Sequence, residues 1–105
     1  MRILFDQGTP APLRSHLKHE VATVVDLGWS TLSNGELLAR AEAAGFEVFV
    51  TTDQNLKYQQ SLPRRRIAVA VLTKASWPRI ERDLANVRAA IDALTPGQYV
   101  EIAIP

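Results

Sequence analysis

Three carboxylate side chains in this sequence lie where a divalent cation and a phosphate group could be bound. Asp6 directly follows a predicted strand over residues 2–5, and Asp53 comes just after another over residues 46–51. Glu36 lies in the Ser-Asn-Gly-Glu segment that begins a predicted helix. Clustered carboxylates repel one another, and a hard cation that prefers oxygen ligands relieves that repulsion. The spacing therefore predicts a metal site, and such a site favours phosphodiester chemistry.

The elements that must position these carboxylates alternate between strand-like and helix-like segments. The predicted strands cover residues 2–5, 20–25, 46–51, 67–72 and 99–104. One predicted helix begins with Thr9 as N-cap and Pro10 as its first residue, and the others cover residues 33–44, 54–60 and 77–94. This alternation is typical of an α/β domain with a mostly parallel sheet of about five strands. Acids that follow parallel strands gather in one crevice at the carboxyl ends of those strands.

Composition limits the classes of protein to which the chain can belong. With 105 residues, 47% apolar and 22% charged, residues 1–105 are predicted to form a single folded domain rather than a disordered chain. Cysteine is absent, which excludes disulfides and thiolate metal sites. The sequence contains neither an apolar run of the roughly 20 residues that cross a bilayer nor a signal-peptide apolar region. We therefore expect no membrane partner and a cytoplasmic location.

Charge is distributed unevenly between the two halves of the chain. Residues 1–53 contain four basic and seven acidic side chains, whereas residues 54–105 contain eight basic and four acidic side chains. The local electrostatic field matters more to a polyanionic partner than the net charge of +1 does. An acidic half with candidate metal ligands beside a basic half suits a site that cleaves phosphodiesters.

Three acidic motifs follow one another in the first half of the chain: Ile-Leu-Phe-Asp-Gln at residues 3–7, Asn-Gly-Glu-Leu-Leu at residues 34–38 and Val-Thr-Thr-Asp-Gln-Asn at residues 50–55. In this order they resemble the small PIN-like domain family, whose short bacterial chains are usually regarded as toxins of toxin–antitoxin pairs. The resemblance extends over nearly the whole chain. It implies a three-layer α/β/α fold and metal-dependent hydrolysis of single-stranded RNA. It also implies a small antitoxin protein as partner, and short chains of this kind often form homodimers.

The resemblance assigns catalytic and metal-binding roles to individual positions. Asp6, Glu36 and Asp53 match the acids that bind Mg²⁺ or Mn²⁺ in the family. Asn55 stands where relatives commonly have a further acid, and its amide oxygen can ligate a metal without contributing charge. The implied chemistry is in-line attack by a metal-bound water, with the cation stabilising charge on the phosphate.

Neighbouring polar and basic residues are candidates for substrate binding. Thr51 or Thr52 is predicted to orient a metal-bound water or a phosphate oxygen. Contacts to the RNA backbone are predicted for four basic residues downstream, Lys57, Arg64, Arg65 and Arg66.

Each carboxylate also has a structural alternative. Asp6 can bond backbone N–H groups in a turn, Glu36 can complete a capping box with Ser33, and Asp53 can cap a short helix. These roles favour a second hypothesis, a non-catalytic PIN-like module that binds nucleic acid or a partner protein. A phosphoacceptor receiver-like domain is a third possibility, supported by Lys74 after the fourth strand. It is disfavoured because Asp6-Gln7 offers one acid where such domains have two.

Overall fold

The computed structural model describes residues 1–56 and 65–105. Its centre is a five-stranded sheet with the strand order β2-β1-β3-β4-β5, and every neighbouring pair of strands is parallel. The strands are β1 (Arg2–Phe5), β2 (Glu20–Thr23), β3 (Val48–Thr51), β4 (Ala68–Leu72) and β5 (Tyr99–Ile102). The predicted α/β class and the largely parallel sheet are therefore confirmed, and β5 is an edge strand as expected.

Helices cover both faces of the sheet. A 3₁₀ helix (Ala11–His16) connects β1 to β2, and α1 (Asn34–Ala43) connects β2 to β3. Helices α2 (Trp77–Arg82) and α3 (Leu84–Asp92) lie between β4 and β5. Nowhere in the described ranges is there a helix long and apolar enough to cross a membrane.

Two separate apolar cores, one on each face of the sheet, give the domain its three layers. On one face, Phe5 and Val50 pack with Ile80 and Ile91 of α2 and α3, and with Leu13 of the 3₁₀ helix. The opposite core is formed by residues of α1 and by inward-facing residues of three strands: Leu4, Leu37, Leu38, Ala41, Phe49, Val69 and Val71. Successive strand residues point to opposite faces, which explains why continuous apolar runs occur in β1, β3 and β4.

The ends of α1 follow the predicted pattern closely. Ser33 is the N-cap, and its hydroxyl accepts a hydrogen bond from the N–H of Glu36 at 3.3 Å. Gly45 follows the C-cap residue with φ of +87°, a conformation that costs glycine little. The helix is shorter than the predicted 33–44 by one residue at each end, because both outermost residues are caps.

The prediction was wrong at two other helices. The first is a 3₁₀ helix with Pro10 as its N-cap, because Pro12 disfavours α geometry at Ala11 and removes a backbone donor. The predicted helix over residues 77–94 is broken at Asp83, whose φ of −115° and ψ of 22° lie outside the helical region. The break produces two short helices, and both contribute buried residues to the same core.

Candidate functional site

The candidate site lies at the carboxyl ends of β1 and β3, in the middle of the sheet. The chain passes from β1 to β2 on one side and from β3 to β4 and β5 on the other, so the direction of strand addition reverses between β1 and β3. Ligands of open parallel sheets bind in the crevice that such a reversal creates. Asp6 follows β1 directly, and Asp53 lies two residues beyond the end of β3.

Thr51 connects the segments that contain these two acids. Its hydroxyl donates to Asp6 Oδ2 at 2.7 Å and accepts from the backbone N–H of Asp53 at 3.1 Å. Thr51 is fully buried, so its hydroxyl needs protein partners, and the carboxylate of Asp6 is a strong acceptor. The structure therefore brings Asp6, Thr51 and Asp53 together. It assigns Thr51 the task of orienting Asp6.

The loop after β1 is held against the end of β3 by backbone and hydroxyl contacts. The carbonyl of Val50 accepts both the N–H of Asp6 and the hydroxyl of Thr9, each at 2.9 Å. Gly8 packs so closely that a Cβ at this position would lie 2.8 Å from the hydroxyl oxygen of Thr52. A larger residue at position 8 would therefore displace the hydroxyl of Thr52, which packs against the loop after β1.

Both acids also form the local bonds expected from their structural alternatives. Asp6 Oδ1 accepts from the N–H of Gln7 at 2.8 Å, and Asp53 Oδ1 accepts from the N–H of Asn55 at 3.0 Å. Each side chain is half-buried, and Asn55 is exposed. These bonds position the carboxylates and leave part of each at the surface of the crevice.

Glu36 lies in the first turn of α1, where Ser33 caps its backbone N–H. In residues 1–56 and 65–105 there is no group of three or more acidic or histidine side chains close enough to hold a metal ion. Glu36 therefore does not form such a group with Asp6 and Asp53. A metal site with three carboxylates is still a prediction.

Of the predicted RNA-binding arginines, Arg65 and Arg66 lie at the amino end of the sheet, because they precede β4. The guanidinium of Arg65 donates to the carbonyl of Gly35 at 3.2 Å and lies 3.8 Å from the carboxylate of Glu42. That carboxylate also accepts from the N–H groups of Arg66 and Ile67. These contacts attach the segment before β4 to the first and last turns of α1.

The amino end of the sheet also contains a cavity of about 300 Å³, and among the described residues Arg66 is the one predicted site residue in its lining. Because the cavity lies far from the acids, it has no part in the candidate site. The remaining predicted RNA-binding residues, Lys57 and Arg64, lie outside the described residues, as does most of the predicted helix over residues 54–60.

Two contributors to this end of the sheet were missed in the sequence. Gln54 donates through Nε2 to the carbonyl of Thr73 at 3.1 Å, and Thr73 accepts from the N–H of Ile104 at 2.8 Å through its hydroxyl. These bonds extend the candidate site from the end of β3 to the ends of β4 and β5. The position of Thr73 directly after a buried strand was the available signal.

Asp26 is a fourth acid near the carboxyl ends of the strands, but it belongs to a separate contact. Hydrogen bonding from Thr23 and then the guanidinium of Arg14 lower the pKa of Asp26 below its ordinary value of 3.8. A lowered pKa in the folded state adds stability above the ordinary value, and this stability is lost as the pH falls through the folded-state pKa. Since Asp26 is exposed to solvent, its contribution is small.

Comparison of the chain with models of protein families finds no match. Comparisons with curated proteins and with solved structures likewise find no significant match.

Proposed function

We propose that the protein is a metal-dependent ribonuclease of PIN-like type, acting as the toxin of a toxin–antitoxin pair. The observation that supports this proposal is the connection of Asp6 to the Asp53 segment through the buried hydroxyl of Thr51, at the reversal point of an all-parallel sheet. RNA as substrate, a small antitoxin protein as inhibitor, a homodimer and a cytoplasmic location are further parts of the proposal. They rest on the resemblance of the three acidic motifs to those of the family.

The donor set at the site suits a hard divalent cation. Mg²⁺ keeps several of its waters and binds proteins through as few as one or two carboxylates, so Asp6 and Asp53 meet its requirement for ligands. Mn²⁺ accepts the same oxygen donors. In the proposed site these two acids would hold the cation, with the amide oxygen of Asn55 as a further ligand.

Residues around the two acids would position the carboxylates and the bound cation. A bound cation supplies an activated water and stabilises charge on the phosphate. Thr51 keeps one Asp6 oxygen in a fixed direction through their 2.7 Å hydrogen bond. Gly8 lets the loop after β1 lie against Thr52. Such preorganisation reduces the reorganisation needed when charge develops.

Cleavage of a labelled single-stranded oligoribonucleotide tests the proposal. We expect Asp6→Asn and Asp53→Asn each to lower the rate in Mg²⁺ or Mn²⁺ by at least about 100-fold, because each removes a charge from the cation site. Asp26→Asn is the matched control, since Asp26 follows β2 at the same end of the sheet and is paired with Arg14. Circular dichroism establishes that each variant is folded.

Cation binding provides a readout that does not depend on activity. We expect Mn²⁺ to broaden the NMR signals of residues around Asp6 and Asp53 in the wild-type protein and not in Asp6→Asn. A wild-type chain that neither cleaves RNA nor binds either cation would exclude the nuclease.

The second candidate function is a module that binds nucleic acid or a protein partner without catalysis. It is favoured by the use of both Asp6 oxygens in bonds to Thr51 and Gln7, and by the position of Glu36 outside any three-acid group in the described part of the chain. Such a module would bind RNA equally well in EDTA and in Mg²⁺, with strong dependence on salt and no cleavage.

A further inference from the structure

A second cavity lies where helix α2, which follows the carboxyl end of β4, meets the chain that follows the carboxyl end of β5. Its volume is about 460 Å³, and Arg79, Arg82, Asp83 and Pro105 line it. Arg79 is in the first turn of α2, which begins four residues after Thr73, and Pro105 lies three residues beyond the end of β5. We call this cavity the α2 pocket.

Two guanidinium groups dominate the charge of the α2 pocket. Arg79 and Arg82 are exposed, and neither forms an ion pair with an acid in the described ranges, in contrast to Arg14 and Arg65. Arg82 uses Nε to donate to the carbonyl of Pro78 at 3.2 Å, which fixes the base of its guanidinium and leaves the terminal nitrogens available. Two unpaired guanidiniums beside a cavity are suited to binding an anion.

Asp83 is the one acid among the described residues that line the pocket, and its carboxylate accepts a hydrogen bond from a neutral amide. Its Oδ2 accepts from the side-chain amide of Asn86 at 3.2 Å. The two arginines therefore outweigh the single acid, and the lining side chains carry a net positive charge. Guanidinium groups bind phosphate oxygens in pairs of parallel hydrogen bonds, which favours phosphate over a spherical anion.

A chain of contacts connects the α2 pocket with the acidic site. Gln54 follows Asp53 and bonds the carbonyl of Thr73, whose hydroxyl accepts from the N–H of Ile104 next to Pro105. The segments that follow β3, β4 and β5 are thus bonded to one another at the carboxyl end of the sheet, and the pocket adjoins the segments that follow β4 and β5.

We propose that the α2 pocket binds a phosphate of the single-stranded RNA that crosses the carboxyl edge of the sheet from the acidic site. This inference rests on the proposed function for the identity of the ligand. The pocket supplies the backbone contact that residues Arg65 and Arg66 were expected to make, since those two arginines lie at the other end of the sheet.

Fluorescence anisotropy with a labelled 12-nucleotide single-stranded RNA in EDTA tests the proposal without cleavage. We expect the double variant Arg79→Gln/Arg82→Gln to bind about 10- to 30-fold more weakly at 0.1 M salt, and its slope of log affinity against log salt to be about 1.4 smaller. The matched control Lys18→Gln/Arg40→Gln removes the same charge from exposed residues outside the pocket, and it should bind like the wild type.

A third variant keeps the positive charge of the pocket. It tests the proposal even if the double glutamine variant does not fold. Arg79→Lys/Arg82→Lys should retain the wild-type salt slope while losing part of the affinity, because lysine lacks the fork of the guanidinium. Wild-type affinity in the double glutamine variant would overturn the proposal. So would an equal loss in the Lys18/Arg40 control, or equally tight arginine-dependent binding of a poly-glutamate peptide.

The outcome also separates this inference from the nuclease proposal. If Asp6→Asn abolishes cleavage but the arginine variant binds RNA normally, the α2 pocket is excluded and the nuclease stands. If the wild type neither cleaves RNA nor binds Mg²⁺ or Mn²⁺, yet its RNA affinity depends on Arg79 and Arg82, the pocket stands and the nuclease is excluded.

Discussion

At the scale of single residues, Thr51 is the most constrained polar group of the candidate site. Its hydroxyl is fully buried between a carboxylate and a backbone N–H that come from different segments. The carboxylate of Asp6 is therefore positioned by a neighbour in space rather than in sequence. This arrangement explains how a half-buried acid on a loop keeps one orientation.

Replacing Thr51 by valine tests the importance of that hydroxyl for stability. The substitution keeps the shape of the side chain but leaves Asp6 Oδ2 and the N–H of Asp53 without their partner. We expect it to lower the free energy of unfolding by about 1–3 kcal/mol, measured by urea denaturation.

Thr52→Val is the control for this measurement, because Thr52 is only half-buried and should lose less than about 0.5 kcal/mol. Equal losses in the two variants would mean that the Thr51 hydroxyl has no special role.

At the scale of elements, α1 and α2 differ in how their first turns are stabilised. Ser33 accepts a hydrogen bond from the N–H of Glu36, whereas Ser76, the N-cap of α2, makes no side-chain cap bond. The sequence pattern Ser-x-x-Glu identified the first cap correctly. The break at Asp83 was not predicted, because the apolar spacing of residues 80, 84, 87 and 91 continues through it.

Alanine substitution at the two serines tests this difference. We expect Ser33→Ala to cost about 1 kcal/mol of unfolding free energy, because it removes the acceptor for the Glu36 N–H. Ser76→Ala should cost at most a few tenths of a kcal/mol. A comparable loss at Ser76 would contradict the capping assignment.

At the scale of the whole molecule, one sheet separates two apolar cores. Ile67 belongs to the core under α1, and Ile91 belongs to the core under α2 and α3. Strands β1, β3 and β4 each contribute side chains to both cores. Loss of either core would therefore destabilise the sheet that the other core also needs. We therefore expect the chain to unfold as one cooperative unit.

Matched Ile→Val substitutions in the two cores test that expectation. Ile67→Val and Ile91→Val should each cost about 0.5–1.5 kcal/mol, and the double variant should lose their sum to within about 0.5 kcal/mol. Chemical denaturation followed by fluorescence and by circular dichroism should give coincident curves. Two separate transitions would show that the cores fold independently.

Local pattern was sufficient to predict the strands, the caps of α1 and the layered α/β class. These features depend on residues that are near one another in the chain, through side-chain alternation, hydroxyl capping and the conformational freedom of Gly45. The α/β class follows from their alternation.

The composition of the candidate site depended on contacts between distant segments. Packing of the strands decided that Asp6 meets Thr51, that Glu36 lies outside a three-acid group in the described part of the chain, and that Arg65 lies at the opposite end of the sheet. Strand order and register are set by the free energy of burying both faces of the sheet at once. That free energy depends on contacts between distant segments, so no short stretch of sequence predicts it.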